Sequence, residues 1–390
     1  MAEARQPSAA EAKAVSGSLV SLQSLGAARW GDRSYAAFAR EGVMQNAIVY
    51  RAVRLISEAA ASVPLRVYDG EQPVPGHPLE HLITKPAAAM TGADFFESWF
   101  GYLLVSGNAY ARAIAAGEGL RGLDLLRPDR VSVRADREGW ADGFSYRTGG
   151  AEVVLSGEAM PGVDQVLHLR LFHPADDHYG LSPIQAAATA IDIHNGASQW
   201  NKALLDNAAR PSGALVYGTG AHMTEAQFAR LKQELEDSFQ GARNAGRPLL
   251  LEGGLDWKAM SLSPRDMDFI AAKDAAAREI ALALGVPPML LGIPGDNTYS
   301  NYQEAHRNFW RQTVLPLVAR TSAAFSAWLA PAFDAPVTLK PDLDGIEALR
   351  SERDALWARL QSVGFLSDDE KRRAVGYPPR DEAGGDTQPA

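Results

Sequence analysis

REIALALGVPPMLLG (Arg278–Gly292), IPGDNTYSN (Ile293–Asn301) and YQEAHRNFWRQTVLPLVARTSAAFSAWL (Tyr302–Leu329) form the stretch around which the chain is organised. The first segment reads as a helix running into Gly285-Val286-Pro287-Pro288. The paired prolines stop it because neither can donate a backbone hydrogen bond. A short polar loop with Gly295, Asp296, Asn297 and Asn301 follows. The next helix starts where Ser300 with Gln303, or Asn301 with Glu304, has the spacing of a capping box. Trp310, Val314, Leu317, Ala324 and Trp328 recur on it at helical spacing. At ~1.5 Å per residue its ~28 residues would span about 40 Å, and Pro316 inside it predicts a kink. No catalytic residue types converge here in a familiar arrangement.

Working outward, the 390 residues are 46% hydrophobic and 22% charged, enough to bury a real core and to form two or more domains. There is no cysteine, which excludes disulfides and thiolate metal sites. The net charge is -9, with no long basic run of the kind that grips nucleic acid through phosphate neutralisation. No run of 18 or more apolar residues is present, nor a basic-then-apolar leader pattern, so a soluble chain without a membrane partner is expected.

Residues 1–28, rich in Ala, Ser, Gln and Glu, read as a flexible arm. From Asn46 to Ala61 apolar residues recur at helical spacing, then Leu65-Arg66-Val67-Tyr68 alternates as a strand. Short helices are expected after His77 and from Thr91 to Gly107. Between Ala109 and Arg170, six short runs separated by Gly, Asp and Pro predict an antiparallel meander or barrel-like sheet: Tyr110–Ala115, Leu123–Leu126, Val131–Arg134, Phe144–Arg147, Glu152–Leu155 and Val166–Arg170. Ser182 caps, and Pro183 opens, a helix expected to reach Ala208, with Ile193, Ala197, Trp200 and Leu204 on one stripe. Residues 213–262 read as a βαββ module. It comprises a strand Ala214–Tyr217, a helix capped by Thr224 and Gln227, and strands Pro248–Leu251 and Asp256–Ser261. A helix Asp266–Leu284 leads back into the opening stretch. Later, Glu347–Val363 forms one helix bearing Leu349, Leu356 and Leu360, and Ser367 with Glu370 caps another.

Chemistry is sparse. Gly117–Gly122 matches GxGxxG, but a β-like run follows instead of the helix that dinucleotide binding requires, so it reads as a hairpin turn. No P-loop, GxSxG, HExxH or paired glycosidase carboxylates occur. His173, Asp176, Asp177 and His178 offer metal-type side chains without a recognised spacing, and read better as a loop before a helix cap. An enzyme of unassigned class using the His173–His178 loop, or a monomeric scaffold module, are the competing functional readings.

Eight segments occur in a specific joint order. They are YRAVRLISEAAASVPLRVYD (Tyr50–Asp69), HPLEHLITKP (His77–Pro86), FESWFGYLLVSGNAY (Phe96–Tyr110), DDHYGLSPI (Asp176–Ile184), NAARPSG (Asn207–Gly213), REIALALGVPPMLLG, TYSNYQEA (Thr298–Ala305) and FLSDDEKRRAVGYPP (Phe365–Pro379). Together they resemble the portal proteins of long-tailed double-stranded DNA phages and related gene transfer agents, over about Asn46–Pro379.

The resemblance implies an α+β portal fold in a ring of twelve at one capsid vertex, in the virion and, during assembly, in the host cytoplasm. The ring would pass double-stranded DNA during packaging and ejection and dock the large terminase subunit, a head-tail connector or adaptor protein and the major capsid protein. It would be no enzyme and need no cofactor or metal. Residues 29–181 would be the wing and 182–210 and 265–284 the two stem helices. The clip would be 211–264, the tunnel loop and long wing helix 285–330, and a short helical crown and tail 331–390. It implies a DNA-facing tunnel loop of Asp296, Asn297, Thr298, Tyr299, Ser300 and Asn301. Ile193, Ala197, Trp200, Ile270, Ala277 and Ile280 would line the channel, and Glu225, Arg230, Glu234 and Arg243 would form the clip docking surface. Because DNA must slide, the channel is expected to be acidic or neutral.

Overall fold

Asn46 opens the first long helix, α1 (Ala47–Ala61), by accepting the Ile48 and Val49 amides on its Oδ1. In this computed structural model, the residues described are 34–375 apart from 118, 207–212, 218–223, 225, 227–228, 231–254, 260–268, 296–297 and 334–336. The 1–28 arm therefore lies outside the described residues. β1 (Leu65–Asp69) and β2 (Gln72–Pro73) follow, turning at Gly70. Next come α2 (Pro78–Thr84) and α3 (Gly92–Ser106). The latter begins at a reciprocal Thr91–Asp94 capping box and ends at Gly107 in left-handed backbone.

The expected meander is present as two three-stranded sheets and a small ladder, not as a barrel. β3 (Asn108–Ala116) and β4 (Gly119–Leu126) form a hairpin across the GxGxxG match, with Gly117 at φ +67°. A second antiparallel sheet comprises β5 (Val131–Ala135), β6 (Ala141–Thr148) and β7 (Ala151–Leu155). β8 (Glu158–Met160) pairs with β9 (Val163–Asp164), and β10 (Val166–Arg170) returns to β3, giving the order β10-β3-β4. Tyr110, Leu126, Val131, Leu155 and Val166 bury between these sheets as a small separate core.

The single helix expected over Pro183–Ala208 is two: α4 (Pro183–Ala186) and α5 (Ala188–Asp206), separated by a turn at Ala187. Ser182 caps α4 as its sequence implies, but its hydroxyl also donates to the Leu104 carbonyl and so ties that first turn to α3. β11 (Gly213–Tyr217) and β12 (Leu255–Ala259) pair antiparallel. Most of the expected module between them lies outside the described residues, including the strand Pro248–Leu251.

α6 (Phe269–Ala283) leads to α7 (Tyr299–Phe309), a π-helical turn Trp310–Val314, and α8 (Leu315–Leu329). Where a kink was expected near Pro316, the helix carries this π-helical turn just ahead of the proline. The Leu315 amide closes back on the Trp310 carbonyl, five residues earlier, and the donor-less proline falls in the first turn of α8. Of the expected stripe, Val314 and Trp328 are buried and Trp310, Leu317 and Ala324 only half-buried; Phe309, Val318, Phe325 and Leu329 complete the buried face. Ser300–Ala332 is long and apolar enough by composition to cross a membrane, but its buried stripe packs into the protein core.

The main core joins α1, α3 and α8. Phe95, Phe96 and Trp99 meet Phe325 edge-to-face at centroid distances of 6.1, 5.4 and 4.9 Å, a geometry that adds quadrupole attraction to area burial. The Trp99 indole donates to Thr321 Oγ1 at 3.3 Å. One strand was not expected: β13 (Val337–Pro341) pairs antiparallel with β1, Val67 opposite Leu339, and buries Val337 and Leu339. The boundary expected at 331 therefore separates a strand from the β1 strand it pairs with. α9 (Arg350–Ser362) and α10 (Asp368–Ala374) follow, the second starting at the expected Ser367–Glu370 capping box. The architecture is α+β.

Candidate functional site

α5 and α6 pack on each other and meet the body at Asn46. That residue is 1% exposed, and its amide Nδ2 donates to His194 Nδ1 at 3.1 Å and to Asn195 Oδ1 at 2.9 Å. Asn195 in turn donates to the Glu41 carbonyl at 2.8 Å. One asparagine thus caps α1 and fixes the flank of α5. Burial holds the His194 imidazole below its usual pKa, and the positive charge of Lys273 on α6 adds to this. Both effects favour the neutral ring that can accept from Asn46. Sequence reasoning missed His194 and Asn195; the cap position of Asn46 was the one legible signal.

Of the residues expected to line a channel, Ile193 and Ile270 are exposed and Trp200 is half-buried. Ala197, Ala277 and Ile280 are buried within the subunit, Ile280 completely, so they drop out of any lining set. Ile280 belongs to the main core, and Ala277 packs with Ala281 and Ile293. In an Ala-rich helix the side chains carry little record of which face is inward, and neighbouring loops decide it. The outward face of α6 is marked instead by Ile270, Arg278 and Leu282.

The turn after α6 is closely built. Gly285 adopts φ +67° and its carbonyl accepts from Thr313 Oγ1 at 2.6 Å; a Cβ there would stand 2.9 Å from that same oxygen. Ile293 is buried, and the Arg278 guanidinium donates to the Pro294 carbonyl. The polar loop is therefore held at its root by a plug and a clamp. Asp296 and Asn297 lie outside the described residues. Thr298 caps α7, accepting the Asn301 amide at 3.3 Å, so the helix begins earlier than the Ser300 and Asn301 boxes imply. Tyr299, Ser300 and Asn301 sit in its first turn, and the Thr298, Ser300 and Asn301 side chains are exposed. Between the loop root and α7 lies a groove of about 400 Å³, lined in part by Arg278, Met289, Pro294, Asn301 and Glu304. In the expected clip, Arg230 is exposed; Glu225, Glu234 and Arg243 lie outside the described residues.

The His173–His178 loop is a structural turn. Asp176 Oδ1 accepts the His178 and Tyr179 amides at 2.8 and 2.9 Å, and His173 Nδ1 accepts the Ala175 amide. Burial pushes the Asp176 pKa up, but those amide donors outweigh it and hold the carboxyl below its usual value. Among the described residues, no group of three or more His, Asp or Glu side chains is placed to hold a metal ion. The loop locks onto the end of α3. A Cβ at Gly180 would meet the Gly107 carbonyl oxygen at 2.1 Å, and one at Gly107 would meet the Gly180 oxygen at 2.4 Å. Asn108 Oδ1 accepts the Gly180 amide at 2.8 Å and lies 3.0 Å from His168 Nε2. His168 stacks on Tyr110, 4.3 Å between centroids. Burial, with the nearby Arg170 charge, pushes His168 down to about 4, and burial raises the Tyr110 hydroxyl.

The described residues show a braced helix pair, a clamped polar loop and a loop at residues 173–180 locked onto the end of α3. The family model described as phage portal protein matches residues 47–376. A chain in the neck of an empty gene transfer agent (GTA) particle is 51% identical, with TM-score 0.70, covering 91% of this chain and 97% of that one. A chain from the neck of a native GTA particle, computed with C12 symmetry, is 50% identical with TM-score 0.68 and the same coverage. A probable portal protein of Streptomyces phage phiC31 is 29% identical over 350 residues, 86% of this chain and 75% of that protein. The family match runs from the start of α1 through both helices of the α5–α6 pair and the clamped loop to the end of α10, and on it the chain belongs to the phage portal protein family.

Proposed function

We propose that this chain forms a twelve-membered ring at one vertex of a phage-like or gene-transfer-agent particle. The ring is the channel through which double-stranded DNA is packaged and ejected. The observation that carries the reading is the 50% identity, over 91% of this chain, to a component of a neck with C12 symmetry. The α5–α6 pair serves as the stem, with Ile193, Trp200 and Ile270 as its outward residues. Asp296–Asn301 is the loop that faces DNA, and residues 211–264 are the clip. The clip docks the large terminase subunit and later a head-tail connector; the wing meets the major capsid protein. The chain itself catalyses nothing.

The net charge of -9 suits this role, because a strongly basic channel would hold phosphates instead of letting them slide. Electron microscopy of the purified full-length protein should show rings with twelvefold symmetry. Deleting Asp296–Ser300 should leave those rings intact while impairing packaging or DNA retention. A strictly monomeric protein would overturn the proposal.

A further inference from the structure

The 173–180 loop forms one wall of a pocket of about 370 Å³, within the size range of small-ligand sites. Other walls come from residues 35–44, the start of β3 and the first turn of α4. Tyr35, Phe38, Tyr110 and Tyr179 line it, and among the described residues no lysine or arginine does. The walls are preset. Gly107 and Gly180 approach too closely to admit a Cβ, Ser182 Oγ donates to the Leu104 carbonyl at 2.9 Å, and Tyr179 Oη accepts the Val133 amide at 2.9 Å. A ligand would therefore order little new chain.

Three polar groups lining the pocket have bonding capacity left over among the described residues. Asp176 engages Oδ1 with the His178 and Tyr179 amides, while its Oδ2 accepts from no described residue. Tyr110 is 1% exposed, yet its hydroxyl bonds to no described residue. The half-buried Gln185 side-chain amide makes no such bond either. Buried polar groups are normally partnered, so an unpartnered phenol on a pocket wall points to something that supplies the partner. A carboxylate among aromatic rings favours positive charge twice over, through Coulomb attraction and through the ring quadrupole. Arg170 acts on Tyr110, whereas the titratable groups acting on Asp176 are His173 and His178. His173 Nδ1 accepts the Ala175 amide, which only a ring deprotonated at that nitrogen can do.

We propose that this pocket binds an organic cation of side-chain size, an alkylammonium or guanidinium group seated against Asp176 and the tyrosine rings. An anion or a metal ion fits less well. No basic residue among those described lines the pocket, and no three ligating side chains converge among the described residues. The cation arrives either as a free amine or as a lysine or arginine side chain of a partner protein, and both present the same head group.

Isothermal titration calorimetry on the full-length protein tests this, with choline set against its uncharged isostere neohexyl alcohol. Choline should bind with roughly tenfold greater affinity. Putrescine, set against the methylamides of Nα-acetyl-lysine and Nα-acetyl-arginine, separates the two sources. Tighter binding of putrescine assigns the site to a free amine; tighter binding of either methylamide assigns it to a partner's side chain. Asp176→Asn keeps an Oδ1 carbonyl for the two backbone amides and should weaken choline binding roughly tenfold. Tyr35→Leu keeps apolar bulk while removing a ring, and should weaken it about threefold. Equal affinity for choline and neohexyl alcohol would overturn the proposal. So would the absence of saturable binding by every cation, or full choline affinity in Asp176→Asn. Each of these outcomes leaves the ring reading standing.

Discussion

The α1–α3–α8 body and the α5–α6 pair are both helix packings, built from opposite materials. The body uses rings: Phe95, Phe96, Trp99 and Phe325 fill its centre, with Trp328 donating to the Asp164 carbonyl at its edge. The pair uses methyls, burying Ala190, Ala197, Ala276, Ala277 and Ala281. Large aromatic side chains remove much more apolar surface per residue than alanine, so each buried ring of the body contributes more than each buried methyl of the pair. The pair also joins the main core through Ile191 and Ile280, is fixed at its base by the Asn46 joint, and leaves Ile193, Ile270 and Leu282 exposed. Ring packing and methyl packing are thus assigned to different parts of one chain.

The sharpest way to break this contrast is Trp99→Ala. It empties a fully buried ring site and orphans Thr321 Oγ1, and should cost roughly 3–5 kcal/mol in urea unfolding of the full-length protein. A loss below about 1 kcal/mol would mean that a buried ring contributes no more than a buried methyl.

Next comes pH. His168 is held down at about 4 in the folded chain, against about 6.5 unfolded, so the unfolded chain binds more protons between those values. The stability associated with the neutral ring is fully present above pH ~6.5 and is lost as pH falls towards 4, roughly 3 kcal/mol at full extent. His168→Gln should flatten that slope in urea titrations across the window. An unchanged slope would remove His168 from the small core between the sheets.

Smaller still is Asn46→Ala, which deletes a cap and leaves Asn195 Oδ1 and His194 Nδ1 without their donor; a cost of about 2 kcal/mol is expected. Its distinguishing mark is faster hydrogen exchange in α5 as well as in α1. An effect confined to α1 would mean that the two regions are not joined there.

Much of this fold was legible from local chemistry. Ser182-Pro183, the Thr91 start, the Ser367–Glu370 box and the hairpin at Gly117 each carry their own instruction, and the structure follows them. What escaped depended on distant partners. β13 is ordered by β1, more than two hundred residues earlier in the chain, and its own signal is only the four-residue alternation Val337–Lys340. Thr298, Ser300 and Asn301 are all competent caps, so the sequence left the start of α7 open. Ile270 and Ile280 are the same residue on the same helix; one is 74% exposed and the other fully buried. In the candidate site the polar loop and the helix pair were visible, but the inward face of the pair and the Arg278 clamp were not.

The π turn at Trp310–Val314 has a consequence for the polar segment ahead of α7. Each residue of an α-helix advances the chain by ~100° about its axis, as 3.6 residues per turn requires. The turn holds one residue more than continuous α-helix would, so α7 is out of phase with α8 by about that angle. The compass bearing at which Thr298 enters the helix is therefore encoded as a residue count. A chain one residue shorter there could keep every buried contact of α8 and still aim its loop at a different wall.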